Sequence, residues 1–303
     1  MLQIDKAEIA ARLPWHALVE ALRAMFVAGC QAPLRHRHPL PANGTLLLMP
    51  AVSATHSGVK IVHVAPGNTA LRQPTVNAAY LLSDATTGVP IALLDGGELT
   101  DRRTAAASIL AARYLARPDS RRLLVLGAGK IAAALAEAYA ESFPLEEVAI
   151  WARHPARAEQ LVARLAAHGI PARLAATADP AGFDIVSAAT LSTVPLIHGA
   201  ALSPGTHVDL VGAFRADMRE TDGAVLARAL CVVDTRVGGL AEAGDVVQAI
   251  AEGHITEADI AAELSELCKG RHPGRTSADQ ITLFKSVGWA GEDLAAAILA
   301  TQG

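Results

Sequence analysis

Short apolar segments alternate with alanine-rich helical patterns through the middle of this chain. The helical patterns cover residues 131–141 and 156–168. The apolar segments, which we predict to be strands, cover residues 122–126, 147–151, 172–174, 184–188, 207–211 and 231–234. Such alternation is typical of a parallel sheet with helices on both faces. The pattern therefore predicts an α/β fold, with a doubly wound Rossmann sheet between residues 119 and 280.

The first 118 residues follow a different pattern. Turn sequences at residues 66–68 and 86–88 favour antiparallel pairing of the strands that flank them. The predicted strands here are residues 44–49, 58–63, 75–83 and 89–95. The predicted helices are residues 6–13, 15–29 and 100–115, and a strand at 282–286 and a helix at 291–301 end the chain.

Composition and charge narrow the class of protein. A length of 303 residues suffices for two domains or one large one. With 51% hydrophobic and 18% charged residues, we expect a well-packed chain and not a disordered one. A net charge of −4 without a basic block argues against a nucleic-acid partner. Cys30, Cys231 and Cys268 are too scattered for a disulfide framework or a metal site, so we expect no metal.

The beginning of the chain gives an expectation about location. It reads as an amphipathic helix with early acidic residues, and no basic leader precedes an apolar block, so we expect no secretory signal. No apolar run reaches the roughly 18–20 residues that a membrane helix needs. The sequence therefore predicts a cytoplasmic protein without a membrane partner.

Residues 123–135, LLVLGAGKIAAAL, read as a strand, a glycine turn and a helix. Small residues at positions 127, 129 and 132 fit the G-x-G-x-x-G/A pattern, in which they permit a tight turn, the close approach of a pyrophosphate and close packing of helix on sheet. The helix N-terminus offers N–H groups and a partial positive charge to phosphates. The residues expected to bind the cofactor here are Gly127, Ala128, Gly129, Lys130 and Ile131.

The end of the next predicted strand bears on which nicotinamide cofactor is bound. NAD-binding versions of this fold usually carry an acidic residue about 20 residues after the glycine turn, on the ribose hydroxyls. No acid follows Trp151 here. Instead, Arg153, His154 and Arg157 can surround a ribose 2′-phosphate. We therefore predict that NADPH is preferred, with NADH as the other candidate, although these residues also fit a solvated basic loop.

Three features outside the nucleotide fold carry candidate chemistry. Lys60 lies inside an apolar strand, where an ammonium needs an anionic partner or a cleft. Thr100 can cap a helix that carries Arg103 in its first turn, where a cation opposes the helix dipole and needs an anion such as a substrate carboxylate. The third feature is the compact strand that ends at Gly288. Each alone also fits a surface charge or a structural ion pair.

The chain resembles the ornithine cyclodeaminase/mu-crystallin family. The resemblance lies in GVKIVHVAPGN (58–68), in the segment 81–116 with its DGGELTDRRTAAA core, in the GAGKIA turn, in GTHVDLVGAF…RETD (205–222) and in ITLFKSVGWAGEDLAAA (281–297). It implies a split α+β substrate-binding and dimerisation domain, residues 1–118 with 281–303, into which the NAD(P)-binding domain, residues 119–280, is inserted. It also implies a homodimer formed by sheet packing between substrate domains.

The resemblance also assigns site residues. Lys60 and Arg103 match the family's substrate-carboxylate pair and are the candidate catalytic residues. The residues that match substrate-binding positions are Arg35, Lys60, Thr75 and Arg103. Those that match cofactor-contacting positions, by a phosphate or by the nicotinamide, are Thr104, Ser286 and Gly288.

One position departs from the cyclodeaminases of this family. They carry an aspartate just after the glycine pair of a late strand, and it engages the substrate's amino groups. The corresponding residue here is Phe214, which can neither accept that hydrogen bond nor act as a base. Asp217 would need a different loop path to replace it. The sequence GAFRADMRE (212–220) instead resembles members that reduce cyclic imines, so we expect Phe214 at the substrate site.

These residues imply NADPH-dependent reduction of a small cyclic ketimine acid, Δ1-pyrroline-2-carboxylate or Δ1-piperideine-2-carboxylate, to proline or pipecolate. In this hypothesis Arg35 and Arg103 fix the carboxylate, and Lys60 adds charge or a proton near the imine. The alternatives are ornithine cyclodeaminase with recycled NAD+, an alanine-dehydrogenase-like activity on an open-chain keto acid, and a non-catalytic protein that binds NADPH and a small ligand. The sequence does not set the ring size.

Overall fold

A six-stranded sheet carries the N-terminal part of the chain in the computed structural model, which describes residues 1–302 without the side chain of Thr69. The strands lie in the order β1-β6-β5-β4-β3-β2, and every neighbouring pair is antiparallel except β1 with β6, which is parallel. They are β1 (Leu2–Ile4), β2 (His36–Leu40), β3 (Gly44–Val52), β4 (His56–Val64), β5 (Val76–Asp84) and β6 (Pro90–Asp95). The predicted antiparallel pairing is confirmed, and the two strands missed from the sequence, β1 and β2, are the sheet's edges.

Helices cover one face of this sheet. They are α1 (Lys6–Arg12), α2 (Trp15–Ala28) and α10 (Ala290–Thr301), and a 3-10 turn (Pro66–Thr69) connects β4 and β5. α10 packs on α2 and on β3, β4 and β5. Alternate strand residues, such as Met49, Val62 and Leu82, are buried beneath the helices. Their neighbours in sequence point to the other face and are only half-buried, as the period of two in a strand requires.

An eight-stranded parallel sheet carries the rest of the chain. Its strands lie in the order β13-β12-β14-β11-β10-β7-β8-β9, all parallel. They are β7 (Arg122–Leu126), β8 (Glu147–Trp151), β9 (Ala172–Leu174), β10 (Ile185–Ala188), β11 (His207–Leu210), β12 (Leu230–Val233), β13 (Ile260–Glu263) and β14 (Thr282–Lys285). Helices α4 (Lys130–Ser142), α5 (Pro155–Ala167), α6 (Gly223–Arg228), α7 (Arg236–Glu242), α8 (Gly244–Ala251) and α9 (Leu264–Cys268) connect them. The predicted doubly wound sheet is confirmed.

The chain divides into two compact units, at positions that differ from the predicted boundaries. The first unit holds residues 1–103 and those from Trp289 onward, and the second holds Thr104–Gly288. The predicted boundary after residue 118 lies beyond α3 (Gly96–Leu115), whereas the unit boundary falls within it. The boundary predicted before residue 281 placed β14 with the substrate domain. The structure instead places β14 between β11 and β12, because all four of its residues are buried and pair on both sides.

The start of α3 also differs from the prediction. The helix begins at Gly96, and Asp95 Oδ1 accepts a hydrogen bond from the Glu98 N–H at 2.8 Å. The predicted cap at Thr100 is wrong, since its hydroxyl donates to the Gly96 carbonyl at 2.7 Å within the helix. Arg103 therefore lies in the helix interior, so the argument from a first-turn dipole does not apply to it. Gly96 is required because a Cβ there would lie 2.7 Å from the backbone of β5.

Candidate active site

A buried cluster of opposite charges lies where α10 packs on β4 in the first unit. Lys60, on the helix-covered face of β4, donates from Nζ to Oδ1 of Asp293 at 2.8 Å. Arg103 donates from Nε to the same oxygen at 2.9 Å and from Nη1 to Oε2 of Glu292 at 2.6 Å. The side chains of Lys60 and Arg103 are 2% and 6% exposed, and both carboxylates are fully buried. One carboxylate oxygen thus joins the predicted pair, Lys60 and Arg103.

The position of the two acids explains why they stay charged when buried. Glu292 and Asp293 lie in the first turn of α10, where the partial positive charge of the helix N-terminus favours a carboxylate. Charged groups removed from water are costly unless each is paired and hydrogen-bonded. Removing one partner of such a buried pair costs roughly 3–5 kcal/mol. The cluster is therefore stable as a set, and each member depends on the others.

Burial lowers the pKa of Lys60 from 10.5 to about 8. That value includes the positive charges of Arg103 and Arg35, which also lower the pKa, and the charge and hydrogen bond of Asp293, which raise it. An ammonium with a pKa near 8 is protonated at neutral pH and can also release its proton. The cluster can therefore supply both positive charge for a carboxylate and a proton.

Tyr80 adjoins this cluster from β5. Its backbone pairs with that of Lys60 across the sheet, and its side chain is fully buried. A Cβ on Gly58 would lie 2.3 Å from the Tyr80 Oη, so glycine is needed to leave room for the ring. Burial raises the pKa of Tyr80 well above its ordinary value, and the charge of Asp293 adds to that shift. The phenol stays neutral at the pH at which Lys60 titrates.

The structure places the other two predicted substrate residues differently. Arg35 is half-buried in the segment before β2, near enough to Lys60 for its charge to lower the lysine's pKa. Thr75 is exposed just before β5, and its carbonyl accepts from the Ala65 N–H at 2.8 Å. Since Lys60 pairs with Tyr80, Thr75 lies five residues along the sheet from the cluster. Arg35 joins the cluster and Thr75 does not, and the site role of Thr75 stays a prediction.

The glycine turn of the second unit has the backbone geometry that a dinucleotide requires. Gly127 has a φ of +124°, and a Cβ there would lie 2.7 Å from the Ala189 carbonyl oxygen. Its N–H donates to the carbonyl of Trp151 at 2.8 Å, which ties the turn to the end of β8. Gly129 is the N-cap of α4, and in the described chain no side chain caps this N-terminus. A Cβ on Gly129 would meet nothing within 4 Å, so the space beside this N-cap is open, and the N–H groups of a first helical turn are those that bind anions.

A basic cavity of about 440 Å³ adjoins this turn. It lies along α4 and α5, and its polar lining residues are Lys130, Arg157, Gln160 and Arg164. Arg157 was predicted to bind the cofactor. Arg164 was not, although its spacing of seven residues from Arg157 places both on one face of α5. Arg153 and His154 are exposed at the start of α5 and do not line this cavity.

A single carboxylate joins the loops that follow β10 and β11. Oε1 of Glu220 accepts from the N–H and the hydroxyl of Thr190 at 2.7 and 2.8 Å. Its Oε2 accepts from the N–H groups of Gly212 and Ala213 at 2.8 and 3.3 Å. Phe214 follows directly, is half-buried and packs against the core of the unit. The loop that carries Phe214 is therefore held at its start by the side chain of Glu220.

Asp245 and Lys285 extend this buried network. Oδ1 of Asp245 accepts from the N–H groups of Glu220 and Thr221 at 2.7 and 2.9 Å. Its Oδ2 lies 3.2 Å from Nζ of Lys285, and both side chains are fully buried. Burial raises the pKa of Glu220, the charge of Lys285 opposes that shift, and the charge of Asp245 adds to it. The network balances a buried cation against two acids.

A second carboxylate holds the turn after β14. Oδ2 of Asp234 accepts from the Ser286 hydroxyl at 3.0 Å, and from the N–H groups of Val287 and Gly288 at 2.8 and 2.7 Å. Gly288 has a φ of +90°, a conformation that favours glycine. Ser286 and Gly288 thus belong to one fixed turn. That they close the nicotinamide pocket stays a prediction.

Several further positions complete the comparison with the sequence. Thr104 is buried on α3, directly after Arg103, and its contact with a phosphate stays a prediction. Asp217 is exposed and forms two hydrogen bonds with Arg215, at 2.9 and 2.8 Å. Within residues 1–302, no three His, Cys, Asp or Glu side chains are grouped as a metal site. No helix in this part of the chain is both long and apolar enough to cross a bilayer.

Sequence reasoning missed the buried acids of both units, among them Asp293, Glu220 and Asp234. Acidic residues in a first helical turn or beside a glycine are ordinarily interpreted as charges exposed to solvent. For Glu292 and Asp293 a signal did exist, since they are the only charged residues in the otherwise apolar segment 286–300. Such a segment is expected to be buried on most sides, so its acids must be paired.

Comparisons with known proteins identify the family and agree with the fold. The model of the ornithine cyclodeaminase/mu-crystallin family matches residues 6–301. Delta(1)-pyrroline-2-carboxylate reductase of Paracoccus denitrificans is 43% identical over 96% of this chain and 93% of its own length. Ketimine reductase mu-crystallin of Mus musculus is 35% identical over 89% of this chain and 84% of its own. The structure of Thermococcus litoralis Delta(1)-pyrroline-2-carboxylate reductase with NADH and L-proline superposes with a TM-score of 0.95 and 34% identity, over 100% of this chain and 97% of that one.

Proposed function

Because the chain belongs to the ornithine cyclodeaminase/mu-crystallin family, we propose that it is an NAD(P)H-dependent reductase of a small cyclic ketimine acid. The substrate is Δ1-pyrroline-2-carboxylate or Δ1-piperideine-2-carboxylate, and the product is proline or pipecolate. One observation carries the proposal. Lys60 and Arg103 are buried side by side on a single oxygen of Asp293, and Arg35 lies near enough for its charge to lower the pKa of Lys60, so three cations face the two carboxylates Asp293 and Glu292 and leave an excess positive charge for a small anionic substrate.

Each residue of this cluster has a task in the reduction. Arg103 and Arg35 bind the substrate carboxylate, and Lys60 supplies positive charge or the proton that the imine nitrogen takes up. As a hydride and its electron pair reach the imine carbon, the C=N π pair moves to nitrogen and is captured by that proton. The reduced nicotinamide supplies the hydride when it is bound. The protein's own contribution is binding, orientation and proton supply.

Phe214 favours the reductase over the cyclodeaminase. A cyclodeaminase needs an acidic group at this position to engage the amino groups of its substrate, and a phenyl ring offers none. Asp217 is exposed and bound to Arg215, so it does not stand in for that acid. Phe214 instead provides an apolar surface suited to the methylene groups of a cyclic imine.

The nicotinamide cofactor fits the glycine turn of the second unit. The uncapped N-terminus of α4, the open space at Gly129 and the basic cavity beside it suit a pyrophosphate and further anionic groups. We propose a preference for NADPH over NADH. Arg157 lines the cavity, Arg153 and His154 are exposed near it, and no acid follows β8 to bind ribose hydroxyls. The residues that would contact the nicotinamide end are Ser286 and Gly288, and Thr104 would contact a phosphate.

Titration of both cofactors tests this preference. Arg157→Ala should weaken NADPH several-fold more than NADH, because only NADPH carries the extra phosphate. Gln160→Ala, in the same cavity but without charge, is the matched control and should affect both cofactors alike. Equal binding of NADH and NADPH by the unaltered protein contradicts the preference.

We further propose that the protein is a homodimer formed through the open face of the six-stranded sheet. Leu48 pairs with Ile61, and Val59 with Leu81, across neighbouring strands, and all four are only half-buried on this face. Leu93, opposite Leu81, is 38% exposed. A continuous apolar band of this kind marks a protein interface, and a second copy presents the same band.

Sedimentation tests the dimer. Ile61→Glu should yield monomers, whereas Val237→Glu, which changes an exposed valine of the second unit, should leave the oligomeric state unaltered. An unaltered mass for Ile61→Glu contradicts the proposed interface.

The cytoplasmic location predicted from the sequence stays a prediction, for which cell fractionation is the measurement.

The reductase is tested by NADPH oxidation with each imine, followed by identification of proline or pipecolate. Turnover with either imine supports the proposal. Ammonia release from ornithine without imine turnover indicates the cyclodeaminase, reduction of an open-chain keto acid alone indicates the alanine-dehydrogenase-like activity, and cofactor binding without any turnover indicates a binding protein. Each of those three results overturns the proposal.

A further inference from the structure

We propose that Asp293 is a positioning residue: its carboxylate holds the Lys60 ammonium and the Arg103 guanidinium side by side and keeps Lys60 protonated over the working pH range. The geometric evidence for this role is that both cations contact the same oxygen of Asp293. Oδ1 of Asp293 lies 2.8 Å from Lys60 Nζ and 2.9 Å from Arg103 Nε. The inference rests on the proposed function only for its kinetic consequence, because the charge state of Lys60 can be measured without turnover.

The two neighbouring acids divide their tasks. Glu292 pairs with Arg103 at 2.6 Å, and no ion pair or hydrogen bond links it to Lys60 among the contacts of the described residues. Asp293 alone contacts both cations. Its other oxygen, Oδ2, is buried and meets no hydrogen-bond donor within residues 1–302. The negative charge of Asp293 is therefore stabilised chiefly by these two cations and by the N-terminus of α10.

The charges around Lys60 explain why it needs this partner. Arg103 approaches from α3, Arg35 from the segment before β2, and Asp293 from α10. Tyr80 faces it from β5 as a neutral phenol, since burial raises the pKa of that hydroxyl. Of the charges that shift the pKa of Lys60, two are cations and one is an anion. Burial and the two arginines lower the pKa of Lys60 to about 8, and Asp293 opposes that shift.

Loss of this carboxylate should therefore deprotonate Lys60 near neutral pH. An opposite charge within hydrogen-bond distance typically changes a pKa by about 1–3 units. Without Asp293 the pKa of Lys60 is expected to fall from about 8 by at least one unit, which is at least a ten-fold change in its proton affinity. Whether Lys60 binds the carboxylate or protonates the imine, the ammonium is the competent form, so the activity should fall with the same titration.

The direct test is NMR titration of lysine in the full-length protein labelled at 13Cε. The chain has five lysines, and Lys60→Arg identifies the signal of Lys60. Asp293→Asn should lower the pKa of Lys60 by at least one unit. Glu292→Gln is the matched control, because it removes from the same turn a neighbouring charge that, among the described residues, makes no hydrogen bond to Lys60, and it should lower that pKa by clearly less than Asp293→Asn does.

Kinetics then connect the titration to the reaction. In the pH profile of kcat/KM for imine reduction, Asp293→Asn should lower the midpoint of the alkaline limb by about one pH unit or more, which is a ten-fold or greater rise in the proton concentration at the midpoint. Combining it with Lys60→Arg should abolish that limb, since arginine stays protonated. If only KM changes on the alkaline side of the pH profile, Lys60 binds the substrate carboxylate. If kcat also falls there, Lys60 takes part in proton transfer. Both results are consistent with the positioning role.

Two results overturn the inference. One is an unaltered Lys60 pKa in Asp293→Asn, and the other is an equal shift in Glu292→Gln. Asp293→Ser removes the same charge with a smaller polar side chain, so the comparison remains decisive if one of the two Asp293 variants does not fold. If the NMR shift is found but neither imine is reduced, the positioning role stands and the proposed function fails.

Discussion

Glu220→Gln should loosen the loop that carries Phe214. The carboxylate accepts four hydrogen bonds, two on each oxygen, from Thr190 on one side and from Gly212 and Ala213 on the other. Glutamine keeps only one oxygen, and its amide group is a donor. Placed with its oxygen toward Thr190, it directs an N–H toward two backbone N–H groups, which lose their acceptor.

The magnitude follows from those four bonds. The bond from Gly212 is short at 2.8 Å, and its loss in a buried site costs about 1–3 kcal/mol. The bond from Ala213, at 3.3 Å, is weaker and adds less. Removing the negative charge of Glu220 also removes its repulsion by Asp245 and its attraction to Lys285. We expect a net loss of about 2 kcal/mol in the free energy of unfolding.

Urea unfolding and imine kinetics together check this reasoning. Thr190→Val is the matched control, because it removes one hydroxyl bond from the same carboxylate and leaves Gly212 and Ala213 bound. It should cost about 1 kcal/mol and leave the KM for the imine near that of the unaltered protein. Glu220→Gln should cost more and raise that KM. If Glu220→Gln unfolds at the same urea concentration as the unaltered protein and has the same KM, the carboxylate of Glu220 is not what holds the loop.

Three further outcomes are expected. Burial raises the pKa of Asp209 from 3.8 to about 6, so the folded chain holds this proton more tightly than the unfolded one. The stability that this proton contributes is lost as pH rises from about 4 through 6. The unfolding free energy of Asp209→Asn, compared with that of the unaltered protein, should therefore improve by about 2 kcal/mol between pH 4 and 7; an equal difference at both pH values contradicts this. Gly58→Ala should cost about 1–3 kcal/mol in thermal unfolding, because its Cβ would lie 2.3 Å from the Tyr80 Oη, and Tyr80→Phe should restore part of that loss. Asp217→Ala should leave imine turnover unchanged, since this acid is exposed and paired with Arg215. A large loss of kcat would show that Asp217 takes part in the reaction.

The periodic pattern of apolar residues predicted most of both sheets. It succeeded where strands are buried on both faces, as with β7 and β10, or on one face, as with β4 and β5. It failed at β2, because the edge strand HRHPL carries exposed polar residues and lacks alternation, and at β1, because the three residues LQI are too few to establish a period. β13 was missed for another reason: the sequence IAAE contains two alanines and is compatible with a helix.

The candidate site was predictable only in part. Lys60 and Arg103 stood out because a cation in an apolar context demands a partner, but the partner itself comes from residue 293, far along the chain. The roles of the carboxylates of Glu220 and Asp234 could not be predicted for the same reason, since they accept hydrogen bonds from backbone N–H groups of other loops. A sequence shows that a buried charge needs a partner, and only the fold shows which residue it is.

The position of β14 has a consequence for synthesis of the chain. Among the strands of the described residues it is made after all the others, yet it lies in the interior of the parallel sheet, between β11 and β12. Until residues 282–285 leave the ribosome, those two strands cannot be bridged, and α10 is still missing from the first unit. We expect both units to mature only once residues 282–301 have been made, so that chains arrested at residue 270 are digested by protease while chains that include those residues are resistant.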